Sequence, residues 1–116
     1  MEAFENRARR INEALNAFDL NPIGDFYADD AVLAWPGLAP VHGRQAIVRF
    51  YAQLLGALPE LQRTIRHVIT GDAIFAVEWE SNAAIAGVSY GEVDADGRIR
   101  SQREYFDRGG TPADWR

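Results

Sequence analysis

The sequence predicts an α+β domain in which a curved sheet packs over helices. The first half of the chain carries apolar residues at helical spacing, and the second half alternates them at period two. Only short turn-like segments separate the alternating runs, so the strands form an antiparallel meander. Helices first and strands afterwards is an α+β order, with the sheet curling over the last helix. At 116 residues the chain suits a single domain, 1–116, large enough to bury a core without staples.

From Phe4 to Phe18 the apolar positions Phe4, Ala8, Ile11, Leu15 and Phe18 lie on one face of an amphipathic helix. Asn21-Pro22 restarts the chain, Asn21 as N-cap and Pro22 at the first position of a short second helix that runs through Phe26 and Tyr27 and ends at Asp29-Asp30. Ala31 to Trp35 reads as a short strand, and Pro36, Gly37 and Pro40 make an irregular loop after it. A third helix follows Gly43, with a wide apolar stripe of Ile47, Phe50, Tyr51, Leu54, Leu55 and Leu58 that needs a sheet to pack on; Pro59 stops it. Strands are then expected over roughly 61–70, 73–81, 84–93 and 98–107. The tail from Gly109 to Arg116 lacks periodicity and reads as a loop-like end, with Trp115 docking on the surface.

Composition removes several classes of function. There is no cysteine, hence no disulfide framework, thiolate nucleophile or cysteine metal site. All 12 basic residues are arginine, which removes lysine Schiff-base chemistry. The net charge is −5 and the arginines are scattered among acids, against a nucleic-acid partner. No apolar run is long enough to span a membrane and no leader pattern opens the chain, so a cytoplasmic protein without membrane association is expected. With two histidines and no clustered carboxylates, no metal site and no cofactor are expected.

The chemistry concentrates on the last strand. Gly97, in the turn Asp94-Ala95-Asp96-Gly97, can take the left-handed conformation that closes a hairpin loop. Alternation then puts Arg100, Gln102, Glu104 and Phe106 on one face. A carboxyl between a glutamine and an aromatic on a concave face is desolvated, which raises its pKa and makes it usable for proton transfer. The competing reading is a solvated glutamate paired to an arginine, with Arg63 or Arg66 as the partner. If Val93 and Arg98 flank the turn, Glu104 lies opposite Gly87 and Gln102 opposite Ser89, leaving room above the carboxyl. A three-residue loop before residue 84 would turn Phe75, Val77 and Trp79 to the same face; a four-residue loop would turn Glu78 and Glu80 there. The first is preferred, because three carboxylates buried together would be costly.

Three segments carry a family resemblance: Phe26-Tyr27-Ala28-Asp29-Asp30-Ala31-Val32, His42-Gly43-Arg44-Gln45-Ala46-Ile47 leading into Phe50-Tyr51, and Asp96-Gly97-Arg98-Ile99 leading into Arg103-Glu104-Tyr105-Phe106-Asp107. Together the chain resembles the nuclear transport factor 2-like superfamily, which contains SnoaL-like polyketide cyclases, steroid isomerases and limonene-epoxide hydrolases. The resemblance implies a cone, with three N-terminal helices held in a strongly curved, mostly antiparallel sheet, an apolar pocket at its open end and usually a dimer. In the cyclases and epoxide hydrolases the proton-transferring acid lies five positions after the hydrophobic residue of the Gly-basic-Ile motif; counted from Ile99 this is Glu104. The further groups of the epoxide hydrolases fall here on Ala73, Phe75, Leu33 and Trp35. Those of the steroid isomerases fall on Trp35 and near Ile11 and Ser89, so neither constellation is present.

The expected function is therefore proton transfer by Glu104 on a small apolar cyclic molecule, or else a non-catalytic lipophile-binding or dimerising domain of the same fold. Tyr27, Trp35, Phe50, Phe75, Trp79 and Phe106 are expected to wall the ligand, with Gln102 beside the acid. His42, before the third helix, and His67, between Ile65 and Ile69, are candidate polar contacts; each also reads as a locally bonded histidine. A homodimer through the convex sheet face is expected, with Arg103, Tyr105, Glu78 and Glu80 on that surface.

Overall fold

The computed structural model describes residues 3–107. Its elements are α1 (Phe4–Asn16), α2 (Ile23–Phe26), β1 (Tyr27–Ala34), β2 (Val41–His42), α3 (Arg44–Ala57), β3 (Arg63–Gly71), β4 (Ile74–Ser81), β5 (Ala86–Val93) and β6 (Ile99–Asp107). The strands form one sheet in the order β2-β1-β6-β5-β4-β3, antiparallel except for the parallel pair β1 and β6. Helices on one side of a mixed, mostly antiparallel sheet make the α+β layout that the helix-then-strand order predicts, in the cone form that the family resemblance implies. The expected tail and Trp115 lie outside the described residues.

Burial explains the layering. Ala8, Ile11 and Leu15 of α1 and Ile47, Tyr51 and Leu55 of α3 are buried, as the helical spacing requires. They meet the inward residues of the sheet, with Ile23, Leu33, Ile47 and Ile99 sealed almost completely from solvent. α1 packs on β3 and α3 on β1. Among the described residues no helix is long and apolar enough to cross a membrane.

Two boundaries differ from the sequence reading. The second helix ends at Phe26, and β1 begins at Tyr27 rather than at Ala31, because Tyr27 pairs with Ile99 of β6. A local helical preference yields there to a partner strand available only in the fold. Pro22, not Asn21, occupies the cap position, and among the described residues no side chain caps the helix. The loop after Trp35 also holds the two-residue strand β2, where Val41 and His42 pair with Leu33 and Val32.

Candidate functional site

Gln102 and Glu104 project from β6 into the interior, and both are buried; Glu104 is 3% exposed. The Gln102 amide is fully engaged. Its Nε2 donates to Glu104 Oε2 at 2.7 Å and to the Tyr51 hydroxyl at 3.4 Å, while its Oε1 accepts from the Tyr27 hydroxyl at 2.7 Å. The two tyrosine hydroxyls lie 3.2 Å apart. Because the Tyr27 proton is committed to Gln102, the Tyr51 proton turns to the Tyr27 oxygen, which closes a ring from Gln102 through Tyr51 and Tyr27 back to Gln102. This amide orientation, assigned from the network, serves a protonated and an ionised Glu104 alike.

The ring determines which oxygen of Glu104 is chemically free. Oε2 accepts from an amide N–H, so a proton on the carboxyl sits on Oε1, which is buried and has no hydrogen-bond partner among the described residues. Burial pushes the Glu104 carboxyl above its ordinary pKa. The Arg63 charge and the dipoles of Ser89, Gln102 and Trp79 pull the other way without reversing it. The Ser89 and Trp79 groups lean toward the carboxyl, but neither closes a hydrogen bond on Oε1. Burial likewise raises the Tyr27 and Tyr51 phenols, Tyr27 well above its usual value, so both hold their protons near neutrality.

Arg63 is placed by α1. The Asn12 and Asn16 side-chain amides each donate to the Arg63 carbonyl at 2.9 Å, and the Arg63 N–H donates to Asn16 Oδ1 at 2.9 Å. The open edge at the start of β3 is thereby satisfied by helix side chains. The Arg63 guanidinium then lies over the Trp79 ring, its central carbon 4.1 Å from the centroid. Of the two arginines that β3 offered, Arg63 faces Glu104; Arg66 instead pairs with Glu80 on the outer face.

Two internal chambers flank this group. One, of about 50 Å³, touches Phe4, Tyr27, Tyr51, Phe75, Ser89 and Gln102. The other, of about 60 Å³, is walled by Trp35, Leu54, Leu58, Leu61, Ile85 and Phe106, and Arg63 borders both. Glu104 lines neither chamber itself; its neighbours on the inner face of β6 do, Gln102 the first and Phe106 the second. A larger hollow, about 540 Å³, is a shallow groove on the outer sheet face beside Arg66, His67, Glu78 and Glu80. It is separated by the sheet from the buried polar groups, so its size does not make it the site.

The expected site residues divide accordingly. Tyr27, Trp35, Phe75, Trp79, Gln102 and Phe106 line the chambers around Glu104. Phe50 stands behind them, its ring 5.0 Å from that of Trp35. Phe75 stacks on Phe4 at 4.6 Å and belongs to the core as much as to the chamber. His42 is exposed on β2, away from both chambers. His67 points outward, its side chain 75% exposed and 3.7 Å from Glu78. The reason is a β-bulge at Arg66: Ile65 pairs with Trp79 and His67 with Glu78, so the residues after the bulge change face.

A second bulge corrects the register expected for β6. Val93 pairs with Ile99 rather than Arg98, and Glu92 pairs with Ser101, so Arg100 is skipped. Arg100 therefore leaves the inner face and bonds Glu92 at 2.8 Å, while Ile99 is buried in its place. Turn and bulge together move the pairing by two residues: Ser89, not Gly87, stands opposite Glu104, and Gly91, not Ser89, opposite Gln102. A two-residue shift preserves faces, so Glu104 still points inward. Gly87 leaves no free space; a Cβ there would come within 2.8 Å of the Trp79 ring and 2.7 Å of Phe106 Cβ. The loop before β5 has three residues between Ser81 and Ile85, and Phe75, Val77 and Trp79 do face inward.

The sequence reading missed Tyr51 as a polar partner, counting it only in the apolar stripe of α3. Its signal was a hydroxyl on a buried face, which needs a partner. Among the described residues no three carboxylate or imidazole groups converge as a metal site.

Residues 8–102 match the SnoaL-like domain. Solved structures share the fold. A SnoaL-like protein of unknown function from Burkholderia thailandensis superposes with a TM-score of 0.81 at 19% identity, covering 92% of this chain and 98% of that one. IdmH from Streptomyces antibioticus, a candidate polyketide cyclase, gives 0.77 at 18% identity, covering 91% and 93%. An NTF2-like protein of unknown function from Mesorhizobium loti gives 0.76 at 21% identity, covering 90% of each chain.

Proposed function

The chain belongs to the SnoaL-like domain family, and from that premise we propose that it is a small-molecule enzyme in which Glu104 transfers a proton to or from an apolar cyclic substrate. The observation that carries this reading is the state of Glu104. It is buried between Gln102 and Phe106, each of which lines a chamber, with Oε2 held by Gln102 and Oε1 unpartnered among the described residues. A carboxyl whose pKa is raised by burial is a stronger base when ionised and a usable acid nearer neutrality. Gln102 keeps Oε1 as the reacting oxygen, and the tyrosine ring keeps Gln102 in place. Trp35, Leu54 and Phe106 supply the apolar wall on which a ring would rest.

Proton exchange on carbon tests this without knowledge of the natural substrate. Cyclic ketones and cyclic 1,3-diketones are incubated in deuterated buffer, and loss of the α-proton signal is followed by NMR. The wild type is expected to accelerate exchange and Glu104→Gln to return it toward the buffer rate, a drop of roughly 10²–10⁴-fold for a lost general base. Equal exchange by the two proteins would remove the proton-transfer role. In that case the apolar wall of Trp35, Leu54 and Phe106 supports a second reading, a domain that binds a small lipophile without turning it over.

We also place a homodimer contact on the outer sheet face. Ile69, Ile74, Tyr90 and Tyr105 are exposed on β3, β4, β5 and β6, Ile69 by 67% and Tyr105 by 56%. Such a row of large apolar groups across a sheet suits a protein partner, and Arg103, Glu78 and Glu80 on the same face supply both signs of charge for a self-complementary contact. Sedimentation velocity should show a dimer at micromolar concentration that Tyr105→Glu converts to monomer; a wild-type monomer would refute it.

A further inference from the structure

A ring does not fit the interior as it stands closed. The chamber walled by Trp35, Leu54 and Phe106 holds about 60 Å³, whereas a cavity that takes up one benzene measures about 150 Å³. Part of its wall must move. A second hollow, about 340 Å³ and open to solvent, lies between residues 57–61 and Asn82-Ala83. Leu58 and Leu61 line both spaces, so these two side chains are the partition between the chamber and the outside.

Both leucines sit on the segment 58–62, which joins α3 to β3 and is pinned at its ends. The Leu58 N–H donates to the Leu54 carbonyl at 3.0 Å, and Pro59 has no N–H with which to extend the helix. At the far end Asn12 and Asn16 hold Arg63. Between these points the segment is fastened by Asn82, an exposed residue of the turn between β4 and β5. Its N–H donates to the Gln62 carbonyl at 3.0 Å, its Oδ1 accepts from the Gln62 N–H at 2.9 Å, and its Nδ2 donates to the Glu60 carbonyl at 2.8 Å. Gln62 Nε2 adds a bond to the Asn16 carbonyl at 2.9 Å. The turn that carries Asn82 is braced separately, the Ser81 N–H and Oγ donating to the Ile85 carbonyl at 2.8 and 3.1 Å. The turn is thus the fixed half, and the segment is the half that can leave. Exposed hydrogen bonds exchange with water for little free energy, which sets this route apart from the one beneath α1, closed by the buried Ala8, Ile11 and Leu15.

We propose that residues 58–62 are a strap over the ligand pocket and Asn82 is its latch: when the strap swings away, the chamber and the outer hollow become one cavity that admits an uncharged apolar ring. Joined, the two spaces reach the range of about 300–1,000 Å³ in which small-molecule sites fall. The ligand is uncharged because a wall of Trp35, Leu54, Leu58, Leu61 and Phe106 strips water from whatever enters. This rests on the reading of the interior as a ligand pocket and adds how that pocket opens; it does not need Glu104 to transfer a proton.

Stopped-flow binding of N-phenyl-1-naphthylamine, a neutral lipophile that fluoresces in apolar surroundings and is too large for the closed chamber, tests the proposal on the full chain. In the wild type the rate of signal gain should level off at high probe concentration, where opening limits entry. Asn82→Ala keeps the backbone bond and loses the two side-chain bonds, so it should raise the limiting rate about five- to tenfold. Its affinity should rise as well, because apparent affinity scales with the open fraction; a merely structural asparagine would leave binding unchanged or weaker. Asn82→Asp, which keeps the acceptor for Gln62 and loses the donor to Glu60, should fall between the two and carries the comparison if the alanine variant does not fold. Leu54→Trp, which fills the chamber, should lose the probe. Where that variant does not fold, the ratio of Asn82→Ala to wild type decides alone, since a probe on the outer sheet face would not sense Asn82. Glu104→Gln should bind at the wild-type rate, so a lost proton exchange with entry still governed by Asn82 would remove only the proton-transfer role. Equal rates and affinities in wild type and Asn82→Ala, no saturable binding by either, or undiminished binding by Leu54→Trp would overturn the strap.

Discussion

Replacing Gln102 by leucine removes the one side chain that touches every member of the buried network while nearly conserving volume. Three hydrogen bonds go: those to Glu104 Oε2, Tyr27 and Tyr51. Tyr27 and Tyr51 still face each other at 3.2 Å, so one tyrosine bond survives. Two buried polar groups then lack partners, the Glu104 Oε2 atom and one phenol. At about 1–3 kcal/mol for each orphaned group, the variant should lose about 2–6 kcal/mol, against a total of about 5–15 kcal/mol for a domain. The loss should also depend on pH. The Gln102 N–H favours the charged carboxyl, so its removal raises the folded pKa of Glu104 further. A folded pKa above the unfolded one means that stability is full below the unfolded value, about 4.3, and falls as pH rises toward the folded value. The variant falls over a wider window, so it should lose more stability at pH 8 than at pH 4. Urea unfolding followed by tryptophan fluorescence gives both numbers by linear extrapolation. A loss under about 0.5 kcal/mol, the size of a surface substitution, would refute the network. Equal losses at the two pH values would refute the bond to Glu104. In a Glu104→Gln background the same substitution should cost less, because the two sites are coupled.

Other expectations follow from single sites. Glu104→Gln should be more stable than the wild type at pH 8 and nearly equal to it at pH 4, read from melting temperatures at the two pH values, since the raised pKa makes the charged form a liability only above the unfolded value. Leu33→Ala, at a position sealed from solvent, should lose about 2–5 kcal/mol in urea unfolding. Gly56→Ala, in α3 with nothing among the described residues within 4 Å of the new methyl, should gain about 0.5–1 kcal/mol. Gly91→Ala should instead fail to fold or lose several times that amount, because its Cβ would fall on the Ser101 carbonyl of β6. Parallel thermal melts of the two alanine variants compare open space with a closed approach on the same scale.

The elements and their faces were legible because they depend on local periodicity. The four-three spacing of Phe4, Ala8, Ile11 and Leu15 makes one helix face whatever it packs against, and alternation in β6 puts Gln102, Glu104 and Phe106 on one side of any sheet. Glu104 therefore faced inward even though its partner was misread as Gly87, since the register error of two residues preserves the pleat. His67 and Arg100 were misplaced for the opposite reason. A bulge inserts a single residue and reverses the face, and Arg66 and Arg100 carry no local mark of one, being neither glycine nor proline.

The sequence by itself thus determined the fold class, the interior side of β6 and the carboxyl at its centre. Tertiary structure alone decided which polar groups meet there. Tyr51 comes from a helix, Tyr27 from β1, Gln102 from β6 and Arg63 from the far edge of the sheet, held by two asparagines of α1. These are long-range pairings, set by how helices seat on the sheet and where strands slip, and no periodicity along the chain encodes them. The protonation of Glu104 is likewise decided in three dimensions, because it is a balance between burial and the Arg63 charge, and both exist only once the chain has closed around them.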